Sequence, residues 1–200
     1  MKHEFIFLIG HPGSGKSTFY QLLSPLLRQN GLSSCRVNDR ELFWQAVQKD
    51  SQQQYHRVNE DGSIDVLDFG LYDIQAQLLS KSLLTSKYKD KLIFIEYTSP
   101  SYQRFIDNFD KDLLITSRLI LFITSYHVGG SRNRSRSDCT EDLDNRIVPE
   151  YYINQCYNQN YCLSDLSKYF YKTFIIHNDK PGIQNLEEYL PKVISFLTHA

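Results

Sequence analysis

The segment Gly10-His11-Pro12-Gly13-Ser14-Gly15-Lys16-Ser17 has the spacing G-x-x-x-x-G-K-[ST], which is the pattern of a loop that holds phosphate groups. Its glycines let backbone N–H groups turn inward, where a Cβ atom would block a phosphate. Lys16 would reach the β- and γ-phosphates, and the Ser17 hydroxyl would coordinate Mg²⁺. The helix that opens near Gly15, with Thr18 in its first turn, would add its positive end. The sequence therefore predicts a site for a nucleoside triphosphate and magnesium.

Two acidic residues stand at the ends of predicted strands. Glu96 follows the apolar run Leu92–Ile95, where an acid would hold the magnesium shell or orient a nucleophile; a solvated strand-end acid is the alternative. Asp39 follows the weaker strand Ser34–Asn38 and opens a predicted helix. It would act as the N-cap of that helix, or as a general base that takes the proton of an acceptor hydroxyl, or as both.

Arginines alternate through a stretch rich in glycine and serine, residues 128–146. Long polar stretches in compact domains are typical of functional lids or of binding loops, or else they are disordered. As a lid, this stretch would exclude water and bring guanidinium groups to the transferring phosphoryl group, with Arg132 and Arg136 as the candidates. The alternative is a solvated basic loop that binds nucleic acid or nothing.

A second polar stretch, residues 50–64, also fits no core element. We expect it to shape the pocket for an acceptor molecule together with the residues Tyr55, His56, Arg57, Asp65 and Asp68. Asp65 and Asp68 are the reserve candidates for the general base.

Short apolar runs separated by helical patterns must position these groups. The predicted strands are Phe5–Ile9, Leu92–Ile95, Leu119–Thr124, Thr173–Ile176 and, more weakly, Ser34–Asn38. Near-continuous apolar strands that alternate with helices indicate a parallel sheet covered on both faces. We therefore predict an α/β fold of three layers, with about five parallel strands, helices on both faces and an Arg-rich lid.

Apolar spacing places the helices. One follows the phosphate loop, one contains Leu71 to Leu83, and one begins behind Ser99 as N-cap with Pro100 at its first position. Another is predicted to start at Pro149. The last runs from about Asn185, with a kink at Pro191.

Composition restricts the class of protein. The 200 residues carry 22 basic and 23 acidic side chains, a balance that argues against proteins that coat nucleic acid or use a polybasic membrane patch. No apolar run approaches the roughly 20 residues of a spanning helix, and no export signal is visible. The four cysteines form no C-x-x-C pair, so we expect reduced thiols and a cytoplasmic protein; a Cys156–Cys162 disulfide is the alternative. We expect one domain over residues 1–200.

These features together resemble the small-molecule kinases among P-loop proteins, a group that includes chloramphenicol phosphotransferase, adenylylsulfate kinase, gluconate kinase and zeta-toxin-like kinases. The resemblance spans nearly the whole chain, although only the phosphate loop is specific. Asp39 lies 23 residues past Lys16, close to where two of these relatives carry a catalytic aspartate. The resemblance implies ATP and Mg²⁺ as cofactors. It also implies base contacts from the turn at Asn178 and Asp179, with an ordinary Asx turn as the alternative.

The departures from related patterns narrow the reaction. Glu96-Tyr97-Thr98-Ser99-Pro100 stands where adenylate-type kinases carry Asp-Gly-Phe-Pro-Arg, which disfavours a nucleoside or nucleotide acceptor without excluding it. The guanine-reading Asn-Lys-x-Asp is absent, which disfavours a regulatory GTPase. We expect a phosphotransferase that moves the γ-phosphate of ATP to a hydroxyl of a small molecule. The rival is a nucleotide-dependent regulatory module with slow ATP hydrolysis.

Overall fold

A parallel five-stranded sheet forms the centre of the protein, in a computed structural model that describes residues 4–60, 64–84, 91–136, 147–158 and 163–198. Its strands are β1 (Glu4–Gly10), β2 (Ser34–Asn38), β5 (Leu92–Tyr97), β6 (Arg118–Ile123) and β7 (Lys172–His177). Their order across the sheet is β2-β5-β1-β6-β7. All five predicted strands are confirmed, and all neighbours are parallel, as expected of apolar runs buried on both faces.

Helices cover both faces of this sheet. On one face α1 (Lys16–Gln29), α8 (Gln184–Glu187) and α9 (Leu190–Thr198) pack over a core that includes Phe19 and Val193. The other face is covered by α2 (Asp39–Lys49), α3 (Gly70–Leu83), α4 (Tyr102–Asn108), α5 (Lys111–Ile115) and a 3-10 helix (Leu163–Tyr169). The predicted three-layer α/β architecture is confirmed.

The register of the central strands brings the acidic residues to one edge. β1 and β2 both pair with β5, so that Asn38 and Leu8 lie opposite Glu96. Ile9 lies opposite Tyr97, and the next residue, Gly10, is the first residue of the phosphate loop. Carboxyl ends of parallel strands form the ligand-binding edge of open α/β sheets.

Two predicted N-caps are wrong by one or two residues. Asn38, not Asp39, caps α2, because the Asn38 side chain accepts the Arg40 N–H at 2.9 Å. Ser101, not Ser99, caps α4 by accepting the Arg104 N–H at 3.4 Å. Asp39 is thereby released from the capping role that the sequence left open.

The two polar stretches contain more regular structure than the sequence predicts. Residues 126–134 form α6 (Tyr126–Arg134), so the predicted loop is wrong there, while 137–146 fall outside the described residues. Within the other stretch lies β3 (His56–Val58), which pairs antiparallel with β4 (Ile64–Val66). The buried Asp50 carboxylate supports this hairpin by bonding His56 Nδ1 at 2.8 Å.

The remaining helices follow the predictions more closely. α7 (Glu150–Tyr157) begins directly after Pro149, as predicted. The last predicted helix is instead two helices, α8 and α9, and Pro191 stands in the first turn of α9, where a missing N–H costs no helical bond. Among the described helices, none has the length and apolarity to cross a membrane.

Candidate functional site

The phosphate loop is a closed turn between β1 and α1. Ser14 N–H donates to the His11 carbonyl at 3.2 Å, and Gly13 and Gly15 have φ values of 75° and 96°. Both values lie in the left-handed region that favours glycine. Gly15 caps α1 without a side-chain bond, so the N–H groups of the first turn of α1, Lys16 to Thr18, have no partner in their own helix. The positive end of a 14-residue helix thus faces the loop.

Lys16 lies inside this loop. Its Nζ donates to the Gly10 carbonyl at 2.7 Å and to the His11 carbonyl at 3.2 Å. Burial lowers the pKa of Lys16, while the Glu96 and Asp39 carboxylates oppose that shift. The ammonium group is therefore bonded to backbone carbonyls of the phosphate loop itself.

Glu96, on β5, contacts α1, the helix that follows the phosphate loop. Its Oε1 accepts the Ser17 hydroxyl at 2.5 Å, and its Oε2 lies 3.3 Å from Arg36 Nη1. The hydroxyl and carboxylate oxygens are the hard ligands that suit Mg²⁺, which usually takes one or two protein oxygens and completes its shell with water and phosphate. The predicted pair Ser17 and Glu96 therefore fits that ion. Among the described residues, no group of three or more His, Cys, Asp or Glu side chains is placed to hold a metal.

Asp39 is the carboxylate beside this pair. Its Oδ2 accepts the Thr98 N–H at 2.7 Å, which fixes the side chain across the ends of β2 and β5. Burial, and then the charge of Glu96, raise the pKa of Asp39 to about 7, against the opposing effect of Lys16. A carboxylate with that pKa can take up and release a proton near neutral pH.

The reserve candidates lie in other surroundings. Asp65 pairs with Arg57 at 2.7 Å on the surface of the β3–β4 hairpin. Asp68 accepts the Gly70 N–H at 2.7 Å at the start of α3. Of the three aspartates, Asp39 is the one that acts electrostatically on Lys16.

Helix α6 packs directly on the phosphate loop. A Cβ built on Gly13 would lie 2.3 Å from the Gly129 carbonyl oxygen, and one built on Gly129 would lie 2.0 Å from Tyr157 Oη. Tyr157 on α7 also donates to the Pro12 carbonyl at 3.1 Å. The adjacent glycines Gly129 and Gly130 are the feature of the sequence that indicates such a close contact. The prediction of a loop did not include this contact.

The two candidate arginines occupy different positions. Arg132 donates to the carbonyls of Asn178 at 3.0 Å and Lys180 at 2.7 Å, and to Gly13 O at 3.3 Å. Arg136 lies close enough to Lys16 that its charge lowers the Lys16 pKa. Arg134 faces outward and lies 4.0 Å from Glu150.

The predicted base-contact residues are engaged with the protein. Asn178 is fully buried, and its Nδ2 donates to the Ser14 carbonyl at 2.9 Å while Asn185 donates to its Oδ1 at 3.1 Å. The Asp179 carboxylate accepts the Ser125 N–H at 2.6 Å. Asn178 therefore supports the phosphate loop from behind, a role that sequence reasoning missed.

Comparison with known proteins gives the fold a name. No protein-family model matches the sequence, and no curated protein matches it. Among solved structures, the APS kinase CysC of Mycobacterium tuberculosis, in complex with AMPPNP and APS, matches over 99% of this chain and 99% of its own, with a TM-score of 0.60 and 14% identity. At that identity the likeness speaks to architecture, and the chain has a P-loop kinase-like fold.

Proposed function

We propose that this chain is a phosphotransferase that uses ATP and Mg²⁺ to phosphorylate a hydroxyl of a small molecule. The observation that carries the proposal is the position of Asp39, next to Glu96 and Lys16 and with a pKa of about 7. A phosphate loop alone would serve a binding protein equally well. A carboxylate that can accept a proton beside the loop is what a transfer reaction requires in addition.

The loop residues would bind and orient the triphosphate of the nucleotide. Lys16 and the N–H groups of the first turn of α1 would hold the β- and γ-phosphates. Ser17 and Glu96 would hold Mg²⁺, which when bound neutralises charge on the phosphate oxygens. Arg136, near Lys16, would add a guanidinium group on the side of α6. Arg132 would act by fixing the Asn178–Lys180 turn against the loop.

Asp39 would take the proton of the acceptor hydroxyl. The hydroxyl oxygen would form a bond to the γ-phosphorus as the bond between that phosphorus and the ADP oxygen breaks, and the proton would pass to Asp39 and then to solvent. The Thr98 N–H occupies one carboxylate oxygen and fixes the orientation of the group. Loss of Asp39 should thus impair transfer without loosening the nucleotide.

The test is acceptor-dependent ADP release from ATP and Mg²⁺ over a panel of sugars, nucleosides, hydroxylated antibiotics and nucleotides. The panel includes APS, which is present in the structure of the similar kinase. We expect at least one compound to raise the rate, and we expect Asp39→Asn to lower that rate by about 10²–10⁴-fold with unchanged AMPPNP affinity. Asp112→Asn on α5 is the matched control, since Asp112 is exposed and lies on another part of the protein.

The rival function gives a different result. A regulatory module would release ADP slowly at a rate that no acceptor raises, while AMPPNP still binds. Full transfer activity in Asp39→Asn would show that Asp39 is not the general base. The protein would still be a kinase.

A further inference from the structure

Glu96, which with Ser17 is proposed to hold Mg²⁺, has a basic partner on the neighbouring strand. Arg36 Nη1 on β2 lies 3.3 Å from Glu96 Oε2, while Glu96 Oε1 accepts the Ser17 hydroxyl. The Glu96 side chain is 8% exposed and the Arg36 side chain 23%, so most of the pair lies out of solvent. Salt and water screen a pair at this depth less than they screen an ion pair on the surface.

The register of the sheet places Arg36 beside Glu96. β2 pairs in parallel with β5, so that Arg36 lies opposite Phe94 and Asn38 lies opposite Glu96. Alternate residues of a strand point to the same face of the sheet, which puts Arg36, Phe94 and Glu96 together on one face. Phe94 belongs to the core beneath α1. Arg36 and Glu96 therefore both face the helix that carries Ser17.

Tyr20, on that helix, packs against the guanidinium group. Arg36 Cζ lies 5.8 Å from the centre of the Tyr20 ring, and this ring lies 5.2 Å from that of Phe94. A guanidinium group within about 6 Å of the centre of an aromatic ring is attracted to the face of that ring. Tyr20 follows Ser17 by three residues, so both side chains project from the same side of α1.

These contacts form a closed ring of four residues. The ring passes from Ser17 to Glu96, from Glu96 to Arg36, from Arg36 to Tyr20, and along α1 back to Ser17. It fixes both oxygens of the Glu96 carboxylate. The negative charges of Glu96 and the nearby Asp39 act on each other and oppose this arrangement. Arg36 supplies the positive charge that offsets their repulsion.

The chemistry of the guanidinium group restricts what Arg36 can do at a metal site. A guanidinium group has donors only, so it cannot itself bind a cation. Hydrogen bonds from groups outside the set of ligands orient the carboxylates that bind a metal. Orientation matters for Mg²⁺, because this ion requires near-ideal octahedral geometry and takes few protein oxygens.

We propose that Arg36 is a positioning residue for Mg²⁺, which fixes Glu96 so that Glu96 Oε1 and the Ser17 hydroxyl face the ion together. This inference rests on the proposed phosphotransferase function, in which Ser17 and Glu96 hold Mg²⁺. It adds to that function a residue that lies outside the phosphate-loop motif and acts through Glu96.

Calorimetric titration of AMPPNP into the full chain tests this proposal without turnover. The Kd of AMPPNP is measured in EDTA and in saturating Mg²⁺, and the first value divided by the second is the metal enhancement. We expect Arg36→Met to lower the metal enhancement by about tenfold, because the carboxylate loses its orienting partner. The Kd in EDTA should stay unchanged, since no metal is then bound.

Three further variants complete the experiment. Arg36→Gln keeps a donor but not the charge, so it should behave as Arg36→Met and replaces that variant if it fails to fold. Arg36→Lys keeps the charge without the planar fork of the guanidinium group, and should restore part of the metal enhancement. Arg28→Met is the control and should change neither Kd, since Arg28 is an exposed residue in the last turn of α1.

Other results would overturn the proposal. An unchanged metal enhancement in Arg36→Met would show that the ion pair is only structural, and a larger one would show that the guanidinium group repels the ion. A weaker Kd in EDTA with the metal enhancement retained would assign Arg36 to the nucleotide itself. In these cases an enhancement in the wild type would leave the phosphotransferase intact. A wild type without metal enhancement would count against the magnesium site and the role of Arg36 together.

Discussion

At the scale of single residues, the proposed reaction depends most on the surroundings of Asp39, which raise its pKa and fix its orientation. Its place beside Glu96 could be predicted, because carboxyl ends of neighbouring parallel strands converge. The sequence could not show that Asp39 does not cap α2. Asn38 and Asp39 are both good N-cap residues, and the backbone conformation decides which of the two caps the helix. The Thr98 N–H that fixes Asp39 has no signature in the sequence either.

The pKa of Asp39 predicts a pH dependence of transfer. The base acts when deprotonated, so kcat/KM should rise about tenfold per pH unit below 7 and level off above it. Measurement of kcat/KM from pH 5 to 9 checks this. A profile without an ionisation near 7 would contradict the assignment of Asp39.

The same pKa predicts a stability effect of opposite direction. Between the unfolded value of about 4 and the folded value of about 7, the native state binds the extra proton, so the Asp39 contribution to stability falls as pH rises. Asp39→Asn should therefore raise the unfolding temperature at pH 8 and have little effect at pH 4. Unfolding temperatures of the wild type and the variant at pH 4 and pH 8 check this, and an equal difference at the two pH values would contradict it.

At the scale of elements, the apolar runs sufficed to predict the sheet, but α6 was predicted as a loop. Its glycines, serines and arginines carry little helical pattern, and its position depends on contact with the phosphate loop. The β3–β4 hairpin was missed for a related reason. Its strands have three residues each, which is too short for a clear alternation of apolar and polar residues. The buried pair Asp50 and His56 that supports them is polar, so a search for apolar periodicity does not find it.

The two adjacent glycines of α6 give a matched test of that contact. Gly129→Ala would place a Cβ 2.0 Å from Tyr157 Oη and 2.9 Å from the Pro12 carbonyl oxygen, and should destabilise the protein by about 1–3 kcal/mol. Gly130→Ala meets only the flexible end of Arg134 at 3.4 Å and should stabilise the helix by about 0.5–1 kcal/mol. Urea unfolding of both variants measures the difference. Equal effects would show that α6 does not pack on the loop.

Support of the loop by the turn after β7 predicts a role for Asn178 in nucleotide affinity. Asn178→Ala removes the bond to the Ser14 carbonyl and leaves that carbonyl unsatisfied, so we expect AMPPNP affinity to fall by about 1–3 kcal/mol in free energy. Asn30→Ala, which removes a bond from an exposed asparagine amide to the Leu26 carbonyl in α1, is the control. Calorimetric titration of AMPPNP compares the two, and equal affinities would contradict the supporting role.

At the scale of the whole molecule, the three-layer architecture brings residues from β2, β5 and α6 around a loop that follows β1. The likeness to the APS kinase structure extends over nearly all of both chains, so it concerns the architecture as a whole. Composition and periodicity were enough to predict this frame. Apart from the glycine pair of α6, local patterns carry no information on the contacts that complete the site, because these contacts join residues far apart in the sequence.

Nucleotide binding should therefore stabilise the molecule as a unit. AMPPNP with Mg²⁺ at 100 times its Kd adds about 2.7 kcal/mol, which raises the unfolding temperature of a protein of this size by about 5–11 °C. Lys16→Ala should abolish this shift, and the exposed Lys111→Ala should retain it. If AMPPNP still stabilised Lys16→Ala, the nucleotide would have to bind outside the phosphate loop.

The bond between Asn178 and Ser14 joins residues that are 164 positions apart. During synthesis, the loop leaves the ribosome long before the asparagine that supports it. A nascent chain that stops short of residue 178 would carry the complete phosphate-loop motif and still lack this support. We expect such truncated chains to bind ATP weakly, so that full ATP affinity is reached only after residue 178 has been synthesised and has met the loop.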